Sequence, residues 1–236
     1  MILSNEGRSL ILRQTTPDDV ADLLKAYDDE AFIRLYRSNN QSVDEEQLRQ
    51  ALEHRAQIAP AEMAYVEFMI VHKQHGNIGI AALGDYSALH QRAEYLVGLF
   101  DEEHRYAGRG IEATLLILDL AFNIYKLHKV YSYVYEYNEF SQKNMVHLGF
   151  KAEGRLDHHH YLLREKRFID LYINGMTMER FRNSEKIQKI SPRLVGRDIT
   201  QEYPQLEVNQ AQQLPVTEGH EFLEKMRELA QQQEAQ

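Results

Sequence analysis

His104-Arg105-Tyr106-Ala107-Gly108-Arg109-Gly110 stands directly before an apolar run from Ile111 to Tyr125. The seven residues read as a glycine-bearing turn with two arginines that opens a long helix. The first backbone N–H groups of a helix have no partner within it and sit at the positive end of the macrodipole, so such a turn can hold an anion. Gly108 and Gly110 permit positive φ and let a ligand come close to the backbone. Arg105 and Arg109 can add charge-assisted hydrogen bonds to phosphate oxygens. Taken alone, a two-glycine turn favours the plainer reading, a surface turn ahead of a core helix.

The flanking elements change that balance. Tyr95 to Phe100 (YLVGLF) reads as a strand, and Gly98 within it predicts a bulge or a close backbone approach. Beyond the turn, Glu112, Asp119, Asn123 and Lys126 form only a narrow polar stripe at helical spacing, so the helix is expected to be buried on most of its circumference. Val130 to Tyr135 (VYSYVY) alternates, with Val130, Ser132 and Val134 on one face and Tyr131, Tyr133 and Tyr135 on the other, the tyrosines expected in core and sheet surface. Strand, turn, buried helix and strand make a βαβ unit with parallel strands. Tyr137 to Ser141 breaks the pattern, and a short helix to His147 ends at Leu148-Gly149-Phe150, where Gly149 suits a left-handed cap.

Further out, Ser9 to Gln14 is a short strand, and Thr16-Pro17-Asp18-Asp19 opens a helix carrying Val20, Leu23, Leu24 and Tyr27. After the loop Ser38-Asn39-Asn40, a second helix is expected to start after Ser42, with Glu45 as its capping-box partner, and to end before Pro60. Tyr65 to Val71 and Ile78 to Leu83 form a hairpin across His75-Gly76-Asn77; Leu156 to Leu163 and Phe168 to Met176 form a closing one. Asp28 to Glu30 and Asp101 to Glu103 are expected as solvated acidic faces. Three adjacent histidines, His158 to His160, alternate faces on a strand and so do not converge on a metal. The order is that of an α+β fold with a mixed sheet. We place one domain at 1–182 and a C-terminal extension at 183–236, made of an extended, Gln-rich linker (184–216) and an amphipathic helix (217–230).

Composition narrows the function. The 236 residues include no cysteine, which excludes disulfides, thiolate zinc sites and a cysteine nucleophile and fits a reducing, cytoplasmic setting. No apolar run is long enough for a membrane span, and the first residues lack the pattern of a signal peptide. A net charge of −9 argues against a broad nucleic-acid surface and is compatible with a cationic substrate.

With these elements placed, the chain resembles the GNAT superfamily of acyl-CoA-dependent N-acyltransferases. Arg105-Tyr106-Ala107-Gly108-Arg109-Gly110 meets the family's Gln/Arg-x-x-Gly-x-Gly/Ala signature. Asn138-x-x-Ser141, Leu148-Gly149-Phe150 and Lys151 to Leu156 form a second matching block. The stretch Gly108 to Met176 is most similar to the bacterial ribosomal-protein and spermidine N-acetyltransferase groups, and the similarity runs from about Ser9 to Phe181. The resemblance implies a mostly antiparallel sheet of about seven strands with a splayed parallel pair, flanked by about four helices.

It also implies acetyl-CoA, or another acyl-CoA, as co-substrate and a primary amine as acceptor, without a metal. The pyrophosphate would sit on Tyr106 to Gly110, and the pantetheine arm would run along Val97, Leu99 and Phe100, with Val97 or Leu99 N–H facing the thioester oxygen. Asn138, Ser141 and Asn144 complete the cofactor contacts. Direct attack needs an amine without its extra proton and a leaving thiolate that gains one. Glu94 is the candidate base, its plainer role being a strand-end partner of Arg92. Relatives often place a tyrosine acid where this chain has Met145; Ser141 is the nearest hydroxyl in register, its plainer role being the cap of the following helix. Two other readings stand beside the enzyme with acetyl-CoA: a GNAT-fold scaffold or binding protein, and an acyltransferase with a longer or carrier-bound donor, for which Gly98 leaves room. A homodimer is left open.

Overall fold

Short apolar runs punctuated by glycine and Asx turns pair into a single sheet. The computed structural model describes residues 4–37, 44–58, 65–87, 89–106 and 108–202. Its strands are β1 (Ser4–Glu6), β2 (Leu10–Gln14), β3 (Val66–His72), β4 (Gly76–Ser87), β5 (Arg92–Leu99), β6 (Lys129–Tyr135), β7 (Lys151–Leu162) and β8 (Arg167–Thr177). Their order across the sheet is β1-β2-β3-β4-β5-β6-β8-β7. Every neighbouring pair is antiparallel except β5 and β6, which run parallel. The helices among the described residues are α1 (Val20–Asp28), α2 (Glu30–Tyr36), α3 (Glu45–Gln57), α4 (Glu102–Tyr106), α5 (Arg109–Asp119), α6 (Glu139–Leu148), α7 (Met178–Arg182) and α8 (Glu185–Leu194). The α+β class and mixed sheet are as the sequence implied.

The differences have local causes. The eighth strand, β1, is polar, and tertiary hydrogen bonds hold it: Asn5 donates to Leu116 O at 3.0 Å and to Asp119 Oδ2 at 3.2 Å. Asp28 to Glu30 are exposed, as expected, and Asp29 in addition caps α2, its Oδ1 accepting from Ala31 N at 2.8 Å. Glu102 and Glu103 likewise open the short helix α4. Asp44, not Ser42, caps α3, accepting from Gln47 N at 2.9 Å; Ser42 itself lies outside the described residues. Gly149 takes φ +96° and ends α6 in the expected left-handed cap.

Two cores lie on opposite faces of the sheet. On one, α1, α2 and α3 bury Leu23, Phe32 and Leu52 against Met69 and Ile80. On the other, α5 is buried along its length and packs with Phe68, Val130 and Phe181. The narrow polar stripe of α5 is not solvated. Glu112 Oε1 accepts from Ser9 N at 2.8 Å and Leu10 N at 3.0 Å, which anchors the start of β2. After α5 the helix widens into a π turn, Leu120–Ile124, from which Asn123 donates to Ile199 O at 2.8 Å.

The segment 184–202, expected within an extended linker, is instead folded onto the domain. Ser184 caps α8, and Ile187, Ser191 and Ile199 are fully buried. Ile187, Ile190 and Leu194 do carry helical spacing; Pro192 and the surrounding glutamines obscure it. Arg197 then reaches the interior, donating to Asp119 Oδ2 and Asn5 Oδ1 at 2.6 Å each and to Glu6 O at 2.9 Å. The expected helix at 217–230 lies outside the described residues. Arg197→Ala leaves Asp119 charged, buried and without its cation, and should cost about 3–5 kcal/mol in urea denaturation.

Candidate active site

The β5–β6 pairing lasts only three residue pairs, Arg92 with Lys129, Ala93 with Val130 and Glu94 with Tyr131. Past Glu94 the strands separate, and a groove of about 480 Å³ opens between Tyr95 to Leu99 on one side and Ser132 to Tyr135 on the other. That size suits a small-molecule site. α5 starts at one end of the groove and α2 closes the other. The Phe100 N–H donates to Ile78 O at 2.9 Å, toward β4. Backbone groups alternate along a strand, so the N–H groups of Val97 and Leu99 point away from β4 into the opening.

Most of the expected site residues meet here. Glu94, Val97, Leu99, Arg105, Gly108, Gly110, Asn138, Ser141 and Asn144 all line the groove. Gly108 holds φ +74° as the residue before α5, and Ile111 N and Glu112 N return to its carbonyl at 3.1 and 3.3 Å. Like the first donors of any helix, the N–H groups of Arg109 and Gly110 have no carbonyl within α5 to bond. Tyr95 OH and Gly110 O each lie 2.7 Å from Thr114 Oγ1, which ties β5 to the first turn of α5.

Other expectations need correction. Phe100 faces the core of α1 to α3, with its ring edge-on to Phe32 at 5.5 Å, so it does not meet the groove. The Arg109 guanidinium turns to His104 Nδ1, away from the groove, and Arg105 donates to Leu99 O and Phe100 O at 3.3 Å. Both arginines stiffen the loop in this state. Tyr106 ends α4, and Ala107 lies outside the described residues. Asn138, not Ser141, caps α6, its Oδ1 accepting from Ser141 N at 3.2 Å. Gly98 pairs in unbroken register with Ile80, so there is no bulge. What comes close is a pair of rings: a Cβ on Gly98 would lie 2.7 Å from Phe32 Cε2 and 2.8 Å from Tyr36 Cδ2. The space beside the Gly98 Cα is therefore filled by these two rings. The strict alternation assumed for His158 to His160 also fails: β7 bulges between Leu156 and His160, with His158 at φ +48°.

Burial raises the Glu94 carboxyl above the usual carboxylate range; the Arg37 charge offsets part of this and Asp85 adds to it. Arg92 is not its partner. It pairs with Asp85 at 3.4 Å and lies over the Tyr131 ring, whose hydroxyl also donates to Asp85. Tyr133 and Tyr135, read from sequence as core and sheet surface, line the groove, as do Phe32, Tyr36, Arg37 and His160. The period-two spacing of the tyrosines was visible, but the strand separation that exposes them is tertiary. Met145 lines the same wall one helical turn beyond Ser141.

A parallel strand pair that splays beside a glycine-started helix is the arrangement that the sequence resemblance implied. The acetyltransferase (GNAT) domain model matches residues 9–151, more than half of the chain, and the protein belongs to the GNAT family. It is 30% identical over 84 residues to the spermidine N(1)-acetyltransferase of Escherichia coli K12; that match covers 36% of this chain and 45% of the relative, so the chain spans less than half the length of the curated relatives it matches. In fold it is similar to the Vibrio cholerae spermidine N-acetyltransferase solved with CoA and spermine (20% identity, TM-score 0.65, 73% of this chain and 97% of that one). It is likewise similar to the same Vibrio protein solved with manganese ions (20% identity, TM-score 0.62, 74% and 96%). Among the described residues no helix is long and apolar enough to cross a membrane. Gly98→Ala pushes a methyl into the Phe32 and Tyr36 rings and should destabilise the protein by about 1–3 kcal/mol, read as a lowered Tm.

Proposed function

We propose that the chain is an acyl-CoA-dependent N-acyltransferase, with acetyl-CoA as donor and a primary amine as acceptor. The observation that carries this reading is the strand separation after Glu94 and Tyr131, which opens backbone donors of β5 directly toward the N-terminus of α5. The Vibrio relative solved with CoA in this fold supports it. The pyrophosphate lies at the first turn of α5, on the N–H groups of Arg109 and Gly110. Arg105 and Arg109 exchange their present carbonyl and imidazole partners for phosphate oxygens. The pantetheine arm runs beside β5 and past Asn138, Ser141 and Asn144.

The acyl carbonyl meets the N–H of Val97 or Leu99, which stabilises the oxyanion of the tetrahedral intermediate. Glu94, directly or through water, takes the proton that frees the amine lone pair. The nitrogen attacks the thioester carbon, the C–N bond forms and the C–S bond breaks. The leaving sulfur takes a solvent proton relayed through the Ser141 hydroxyl, which is restored in the same step, since Met145 has none to give. A carboxyl raised above its usual range is better matched to this task near neutral pH than an exposed one.

Glu94→Gln should lower kcat by about 10²- to 10⁴-fold while leaving the Kd for acetyl-CoA unchanged, as followed by thiol release and calorimetry. Because only the ionised carboxylate accepts a proton, wild-type activity should rise with pH along a limb set by that raised carboxyl, and the limb should vanish in the variant. Replacing Arg105 and Arg109 together by alanine should weaken acyl-CoA binding by about tenfold or more. An unchanged affinity overturns the phosphate assignment. Firm CoA binding without turnover of any amine would favour the scaffold reading instead.

A further inference from the structure

The acceptor end of the groove has a charge pattern that bulk composition does not reveal. The protein is acidic overall, at −9, yet among the described residues Glu94 is the only carboxylate that lines the groove. The neighbouring acids are already engaged. Glu67 takes Arg55 at 3.2 Å and the hydroxyls of Tyr27 and Tyr65 at 3.1 Å each. Asp85 holds Tyr131 and Arg92. Around the α2 end of the groove, Glu30 pairs with Arg164 at 2.7 Å, and Glu165 with Arg34 at 3.1 Å and Arg167 at 2.7 Å. A linear polycation needs a row of free carboxylates, and this end of the groove offers one.

It offers a cation as well. Arg37, at the end of α2, lines the groove with its guanidinium over the Tyr65 ring at 5.2 Å. Among the described residues it forms no ion pair, and it feels the charge of Glu94 without closing to salt-bridge distance. At its acceptor end the groove thus presents an acid and a base that feel each other's charge without an ion pair between them among the described residues. Tyr36, Tyr133, Tyr135 and Phe32 surround them with aromatic surface. An α-amino acid has the complementary pattern, with an ammonium and a carboxylate one carbon apart. A guanidinium binds carboxylate with two parallel hydrogen bonds, a fork that an isolated amine cannot use.

We propose that the acceptor is an amino acid with an apolar or aromatic side chain, its amine turned to Glu94, its carboxylate held by Arg37 and its side chain laid on the tyrosines. The inference rests on the acyltransferase reading above. The step is unchanged: the amine nitrogen gains the acetyl group, the sulfur of CoA leaves as thiol, and the carboxylate takes no part beyond orientation.

The test uses the full chain with acetyl-CoA and matched acceptors: L-phenylalanine against phenethylamine, L-tyrosine against tyramine, and spermidine. Thiol release should give the amino acid a kcat/KM at least about tenfold above its decarboxylated partner, and Arg37→Gln should bring the two within about twofold. A role of Arg37 confined to tuning Glu94 would shift the pH profile for both acceptors equally and leave their ratio intact, which overturns the proposal. Preference for spermidine or for the decarboxylated amines also overturns it while sustaining acyl transfer. Where no acceptor turns over, calorimetry on the CoA-loaded protein decides: N-acetyl-phenylalanine should bind and N-acetyl-phenethylamine should not, and equal or absent binding of the two overturns the proposal. Failure to bind CoA at all sinks the acyltransferase reading itself.

Discussion

The structure depends on a pairing that stops. Two parallel strands, β5 and β6, share three residue pairs and then diverge. Hydrogen bonds that would have closed the sheet are left as strand donors facing a groove, and unpaired backbone groups away from water are costly unless something meets them. A ligand with an extended amide-bearing arm meets them without side-chain specificity. The rest of the molecule holds this opening in place. β4 locks β5 from behind through Gly79 to Gly84, and β8 locks β6 along its full length. The gap therefore cannot close by sliding either strand.

The buried helix α5 is the other half of the device. Its first turn faces the groove, and its polar residues tether distant parts of the chain. Glu112 fixes the start of β2, Asp119 receives Asn5 and Arg197, and Asn123 holds the carbonyl of Ile199. A helix so constrained cannot rotate its N-terminus away from the site. Each of these groups is buried and charged or strongly polar, so each is stabilising only as long as its partner is present. The C-terminal segment through residue 202 is consequently part of the domain's architecture.

The electrostatics of the groove differ from those of the whole protein. Several carboxylates are spent on arginines and tyrosines in the shell around the site, which leaves Glu94 and Arg37 as the charged side chains at the α2 end of the groove among the described residues. Net charge describes the far field and says little about a site whose walls are aromatic. Gly98 fits the same pattern. In the chain it looks like space; in the fold, Phe32 and Tyr36 fill it.

The sequence by itself determined the elements and the loop. Apolar periodicity placed the strands and main helices, and Gly108 and Gly149 marked turns whose backbone angles few other residues adopt. The α5 end of the groove was readable because glycine and backbone geometry set it, and both are local. Only the tertiary structure decided which residues share the groove. The polar strand β1, the exposure of Tyr133 and Tyr135, the ring packing on Gly98 and the docking of 184–202 all arise from contacts between residues far apart in the chain. The Arg37–Glu94 pair belongs with them, since no periodicity links the end of one helix to a strand 57 positions later; the distance is simply the difference of the two residue numbers. Local propensity carries no information about such contacts, because their energy exists only once the partners are brought together.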